Sequence, residues 1–182
     1  MHNSFRLLIL VALLTLGASL TAAPFAVAQT KPAPQSPDQG DPVTLFDDAD
    51  ATMNAAISEA VATLPIFLAN AMTTDGFGLP SAMLKVAMPT VSGGGDEIIW
   101  VEGISQTSTG FAGYLANAPV DLGPLRHGDY VEFQAAQIND WGIRSPSGRL
   151  FGHYTTRVIA GLPGNAHIWD LLEPSPIPPD WR

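Results

Sequence analysis

Hydrophobic and polar positions change period once along this chain. From Ala49 to Leu64 the apolar residues Ala49, Met53, Ala56, Ile57, Ala60, Val61 and Leu64 recur every three or four positions, the spacing of one helix face. Asp47, Asp48 and Asp50 stand around its start, where acidic side chains complement the helix dipole and one of them caps the first amides. Pro65 ends or kinks this helix and also suits the first turn of a second, short helix over Pro65 to Met72. Beyond residue 80 the period falls towards two, with glycine and proline as punctuation. Strands are expected over Ser81 to Met88, Glu97 to Gly103, Gly110 to Leu115 and Tyr130 to Phe133. The run Ile98-Ile99-Trp100-Val101 is continuously apolar, which suggests burial on both faces and therefore a central strand.

The stretch from Arg126 to Arg157 concentrates the polar residues that chemistry would need. Ser145-Pro146-Ser147-Gly148-Arg149 reads as a turn: Pro146 presets φ at its first position and Gly148 accepts a left-handed one. A three-residue hairpin loop of this kind pairs Ser145 with Arg149. Counting outward, Ile143 faces Phe151, Trp141 faces His153, Asn139 faces Thr155 and Gln137 faces Arg157. Alternation then places Asn139, Trp141, His153, Thr155 and Arg157 on one shelf. The opposite face carries Ile138, Asp140, Leu150, Tyr154, Thr156 and Val158 and is the expected core side. The shelf has two readings, a ligand-binding surface and an ordinary solvated sheet face.

Composition narrows the classes. The formal net charge is −9 over 182 residues, and no basic run exists to neutralise phosphates, which argues against nucleic acid. The chain has no cysteine, so disulfides, thiolate metal sites and cysteine nucleophiles are excluded. Residues 1–28 read as a secretory signal: His2 and Arg6, an apolar stretch from Leu7 to Leu20, then the small-x-small site Ala26-Val27-Ala28. Uncleaved, the same stretch is just long enough to anchor the chain; cleaved, it leaves no stable membrane insertion and a periplasmic or secreted product. Residues 29–46 read as a Pro-rich linker, residues 47–172 as one domain, and residues 173–182 as an extended Pro-rich tail.

Catalytic candidates are few. No serine sits in a G-x-S-x-G elbow. His127-Gly128-Asp129 has H-x-D spacing inside a tight turn, and His127, Asp129 and His153 would hold a metal only if the fold gathered them. No metal or other cofactor is implied. Asp140 is the one carboxylate on the more apolar face. It needs a partner there, such as Arg126, Arg144 or a backbone amide, and reads either as a buried structural acid or as a catalytic one.

The series Asp96-Glu97-Ile98-Ile99-Trp100-Val101, Gly113-Tyr114-Leu115-Ala116-Asn117-Ala118-Pro119, Leu125-Arg126-His127-Gly128-Asp129-Tyr130-Val131, Ile138-Asn139-Asp140-Trp141 and Gly152-His153-Tyr154-Thr155-Thr156-Arg157 resembles the YegJ-like bacterial family of unknown function (DUF 2314) over roughly residues 50 to 160. The resemblance marks Trp100, Asn117, Asp129, Asp140, Trp141, Thr155 and Arg157 as pattern positions. It implies a small, often exported α+β domain and carries no established activity. The expected fold is thus α+β: a helix or kinked helix pair packed on a curved antiparallel sheet of about five or six strands, with a partly closed SH3-like barrel as a variant. The expected role is a non-catalytic binding or interaction module of the cell envelope, whose partner is an envelope protein or a small ligand. Two alternatives are an envelope hydrolase using Asp140 or His127 with Asp129, and an immunity-type protein that neutralises a toxin.

Overall fold

The computed structural model describes residues 51–181. The leader, the linker and Asp47, Asp48 and Asp50 therefore lie outside the described residues. Helix α1 (Ala51–Ala71) buries Ala56, Ala60, Leu64, Phe67 and Ala71, one stripe at the helical repeat. It is a single helix where a stop or a kinked pair was an option, because Pro65 lies inside it. A proline there removes one backbone hydrogen bond at a cost of about 3 kcal/mol, and the flanking Leu64 and Phe67, both buried, offset it. The helix is long and apolar enough to cross a membrane by length and composition, yet its apolar stripe is spent on the core.

Six strands follow: β1 (Ala82–Pro89), β2 (Asp96–Gln106), β3 (Phe111–Leu115), β4 (Tyr130–Phe133), β5 (Ile138–Arg144) and β6 (Leu150–Gly152). They form one antiparallel sheet in the order β4-β3-β2-β1-β5-β6. The sheet is open, with β4 and β6 at its edges, so the barrel variant is not the form adopted. The fold is α+β. Strand β2 is central, as its apolar run predicts, and Ile99, Trp100 and Val101 are buried while Ile98 remains exposed. Leu84, Val101 and Leu115 meet in one cross-strand row, beside Val86 opposite Ile99. This face packs under α1.

The hairpin loop forms as expected: Ser145 N–H donates to Arg149 O at 2.7 Å and Gly148 N–H to Ser145 O at 2.9 Å, and Ile143 faces Phe151. The ladder then stops at Gly142 opposite Gly152. Beyond it the chain forms helix α2 (Tyr154–Ala160), where continued strand was expected. Gly152 and His153 take φ of 72° and 52°, and two successive left-handed residues turn the chain off the sheet. A Cβ at Gly152 would lie 2.2 Å from Trp141 O, so only glycine fits there.

The segment after Leu172 was expected to be an extended tail. It is packed instead. Glu173 N–H donates to Leu150 O at 2.9 Å and Gly152 N–H to Pro176 O at 2.6 Å. The Trp181 ring lies 6.1 Å from that of Trp141 and 6.3 Å from that of Phe67.

Candidate functional site

The expected shelf does not assemble, because α2 replaces the strand that would have carried half of it. Asn139 sits at a register shift: Lys85 faces Asp140 and Val86 faces Ile138, which leaves Asn139 as the unpaired extra residue of a bulge. Trp141 faces Leu84, the core side rather than the solvated one. It is fully buried, stacks on Phe67 at 5.1 Å and meets the Tyr154 ring at 5.8 Å. Its Nε1–H donates to Ala60 O at 3.2 Å and Thr63 Oγ1 at 3.0 Å. Arg157 ties two carbonyls together, with Nε donating to Gly152 O and Nη2 to Glu173 O, both at 2.9 Å.

His153, Thr155 and Asp140 do converge, on the opposite face of the sheet, around a residue the sequence reading missed. Lys85 lies across from both Trp100 and Asp140. Its Nζ donates to Thr155 Oγ1 at 3.2 Å and lies 5.4 Å from the centre of the Trp100 ring. Thr155 Oγ1 in turn donates to Asp140 Oδ2 at 2.7 Å. Lys85 is the only lysine after Lys31; a single charge inside Met83-Leu84-Lys85-Val86-Ala87-Met88 was the available signal.

Asp140 is 1% exposed and its partners are backbone amides. It accepts from Trp141 N–H at 2.8 Å, Tyr154 N–H at 3.2 Å and Thr155 N–H at 2.8 Å, besides the Thr155 hydroxyl. The N-cap of α2, His153, makes no side-chain capping bond, so Asp140 on β5 caps this helix from across the sheet. Burial raises its pKa above the ordinary carboxylate value, opposed by the bonds from Thr155 and Trp141 and by the charge of Lys85. The carboxylate is enclosed and its acceptor sites are occupied, which suits a capping group better than a general acid.

His153 is the only non-glycine with positive φ among the described residues. Histidine is among the few side chains enriched there. Its ring packs against that of Trp100, tilted by 32° with centres 4.4 Å apart, and lies over Gly142, where a Cβ would come 2.3 Å from Nε2. Nδ1 is 3.3 Å from Thr156 Oγ1, and Nε2 is buried without a hydrogen bond. Burial, reinforced by the charges of Lys85, Arg157 and Arg144, pushes its pKa down from 6.5 to about 3. The unfolded chain therefore takes up the proton first. The stability due to His153 is complete above 6.5 and is lost as pH falls through that value towards the folded one, by at most about 1.4 kcal/mol per pH unit. Asp140, with a raised pKa, acts in the opposite sense: its share is complete below the ordinary carboxylate value and fades as pH rises. Comparison of the wild type with His153→Gln cancels the Asp140 part. In urea titrations the stability advantage of the wild type should grow between about pH 4 and 6.5 and level off above; an advantage independent of pH would contradict a buried neutral imidazole.

The remaining candidates lie apart. His127 is exposed in the loop before β4, and Asp129 Oδ2 accepts Arg126 N–H at 2.8 Å. That loop leads into one sheet edge and His153 follows the other, so the two histidines and Asp129 do not gather. Among the described residues no group of three His, Asp or Glu side chains is placed to hold a metal. A shallow groove between α1 and α2, lined by Glu59, Tyr154, Arg157, Val158 and Leu162 among others, contains none of the expected catalytic residues.

What remains open is the other half of the sheet face that α1 does not cover. Glu102 faces Tyr114 and Tyr114 faces Tyr130, one row across β2, β3 and β4. The two tyrosine rings meet edge-on at 5.9 Å, and they are 48% and 52% exposed. Tyr130 Oη donates to Glu132 Oε1 at 3.2 Å, and Ile98 is exposed on the same face. The apolar run had suggested that Ile98 is buried, and it is 43% exposed; the adjacency of these residues required the strand order.

No curated protein and no solved structure matches the chain. The order of motifs, the α+β fold and a family model matching residues 50–165 agree, and the chain belongs to the family described as an uncharacterized protein conserved in bacteria (DUF2314).

Proposed function

We propose that this protein is a non-catalytic protein-interaction module exported to the cell envelope, and that its contact surface is the open sheet face of Ile98, Glu102, Tyr114, Tyr130 and Glu132. The observation that carries the reading is the exposed, cross-strand tyrosine pair. Tyrosine is enriched in interfaces because it offers a large apolar ring and a hydrogen-bonding tip. The residues with catalytic potential support the same reading by being engaged elsewhere: Asp140 caps α2 and His153 is packed between Trp100 and Gly142. Export is supported by the leader pattern of residues 1–28, so the proposed compartment is the periplasm or the exterior. The immunity-type alternative is a special case of this reading, in which the partner is a toxin.

The test uses the full tagged chain expressed with its own leader. The wild type should retain a defined envelope partner, and the Tyr114→Ser/Tyr130→Ser double variant should lose at least about tenfold in affinity, because paired interface tyrosines act as anchors. Its unfolding free energy in urea should fall by no more than about 2 kcal/mol, the loss expected for one half-exposed aromatic pair, so the variant stays folded. Equal retention by a folded double variant would sink the surface assignment.

A further inference from the structure

We propose that the open face, together with the free edge of β4, docks an extended segment of the partner that carries Lys or Arg at alternate positions. This rests on reading that face as an interaction surface and adds the chemistry of what it receives.

The phase of the β3–β4 ladder leaves one set of β4 backbone groups unpaired among the described residues. Leu115 N–H donates to Asp129 O at 2.9 Å, and Gly128 N–H donates to Leu115 O at 2.8 Å. With Tyr114 opposite Tyr130 and Gly113 opposite Val131, the residues whose amides face β3 are Val131 and Phe133. Backbone groups alternate in direction along an antiparallel strand, so the amides and carbonyls of Tyr130 and Glu132 point away from the sheet. No strand pairs with β4 on that side among the described residues. An exposed edge of this kind accepts one more strand by main-chain hydrogen bonding.

The open face beside this edge is acidic and aromatic. The same two residues place a tyrosine ring and a carboxylate on the open face, beside Tyr114 and Glu102 in the row behind. Cationic side chains favour both aromatic faces and carboxylates. A second copy of this chain, with a net charge of −9, would bring like charge to the same edge. The short strand and Glu132 thus guard against self-pairing, which is how natural edges avoid aggregation. A basic strand turns that guard into a contact.

The experiment is an NMR titration of the full chain with an alternating Lys-Thr decapeptide, with an alternating Glu-Thr decapeptide and a chito-oligosaccharide as controls. The expected result is amide shifts centred on Tyr130 and Glu132 with the Lys-Thr peptide alone. Binding should weaken with added salt and should fall roughly fivefold or more in Glu102→Gln/Glu132→Gln, a pair of exposed changes that keep side-chain shape. Absence of shifts at those amides, equal binding of both peptides, or binding of the sugar in place of the basic peptide would each overturn the proposal. The two readings fail separately. If the tyrosine variant loses the captured partner while the Glu→Gln variant keeps it, the interaction surface stands and the basic segment falls. If the tyrosine variant keeps the partner, both fall.

Discussion

Asp140→Ala should lose about 3–5 kcal/mol of unfolding free energy, because it leaves several buried donors without an acceptor. Three backbone amides and one hydroxyl converge on this carboxylate, and alanine supplies no acceptor for any of them. At a position 1% exposed, bulk solvent does not reach these donors in the folded protein. The loss also has a direction in the chain. Tyr154 and Thr155 N–H belong to the first turn of α2, so the helix should fray from its start, and the Lys85–Thr155 contact should go with it. Asp140→Asn is the sharper comparison. It keeps one oxygen but points an amide group at donors, and should cost about 2 kcal/mol or more, the price of unmet buried donors. Urea unfolding followed by circular dichroism measures both. A loss under about 1 kcal/mol for alanine would mean that the carboxylate is not the cap, and the catalytic reading of Asp140 would return.

Trp141→Ala should cost a similar amount, about 3–5 kcal/mol, the range for large-to-small changes in a packed core. The indole is fully buried and joins four elements: Phe67 on α1, Leu84 on β1, Tyr154 on α2 and Trp181 near the end of the chain. Trp141→Phe separates packing from hydrogen bonding. It retains an aromatic ring and loses the Nε1–H bonds to Ala60 O and Thr63 Oγ1, for about 1–2 kcal/mol. The readout is the unfolding midpoint, with the NMR indole N–H signal of Trp181 reporting whether this segment stays docked. Near-neutral behaviour of Trp141→Ala would return this residue to a surface role, the role its predicted place on the polar shelf had implied.

Those two residues mark where local reasoning succeeded and where it stopped. The Ser145–Arg149 turn, the Ile143–Phe151 pairing and, to within one residue, the limits of β1, β3 and β4 were legible, because proline, glycine and two-residue alternation act over a few bonds. The apolar spacing of α1 was legible too, but its passage through Pro65 was not, since local cost there is outweighed by burial of Leu64 and Phe67. Asp140 could be marked as an acid in need of a partner. That its partners would be amides of a helix could not, because Tyr154-Thr155-Thr156-Arg157-Val158-Ile159 is rich in aromatic and β-branched residues that favour strand.

By itself the sequence determined the class of fold, the central place of β2, the hairpin, the absence of thiol chemistry and the family. These depend on hydrophobic period, turn chemistry and residue inventory, all of which are local or additive. Only the tertiary structure decided which way Trp141 faces, that Lys85 joins His153 and Asp140, that the end of the chain packs on the core, and that Tyr114 and Tyr130 stand together beside a free edge. Each of these depends on which strands lie next to one another and on two left-handed residues, Gly152 and His153, that turn the chain from sheet to helix. A shift of one position in a strand exchanges its two faces, so the side on which a residue acts is settled by packing between distant segments.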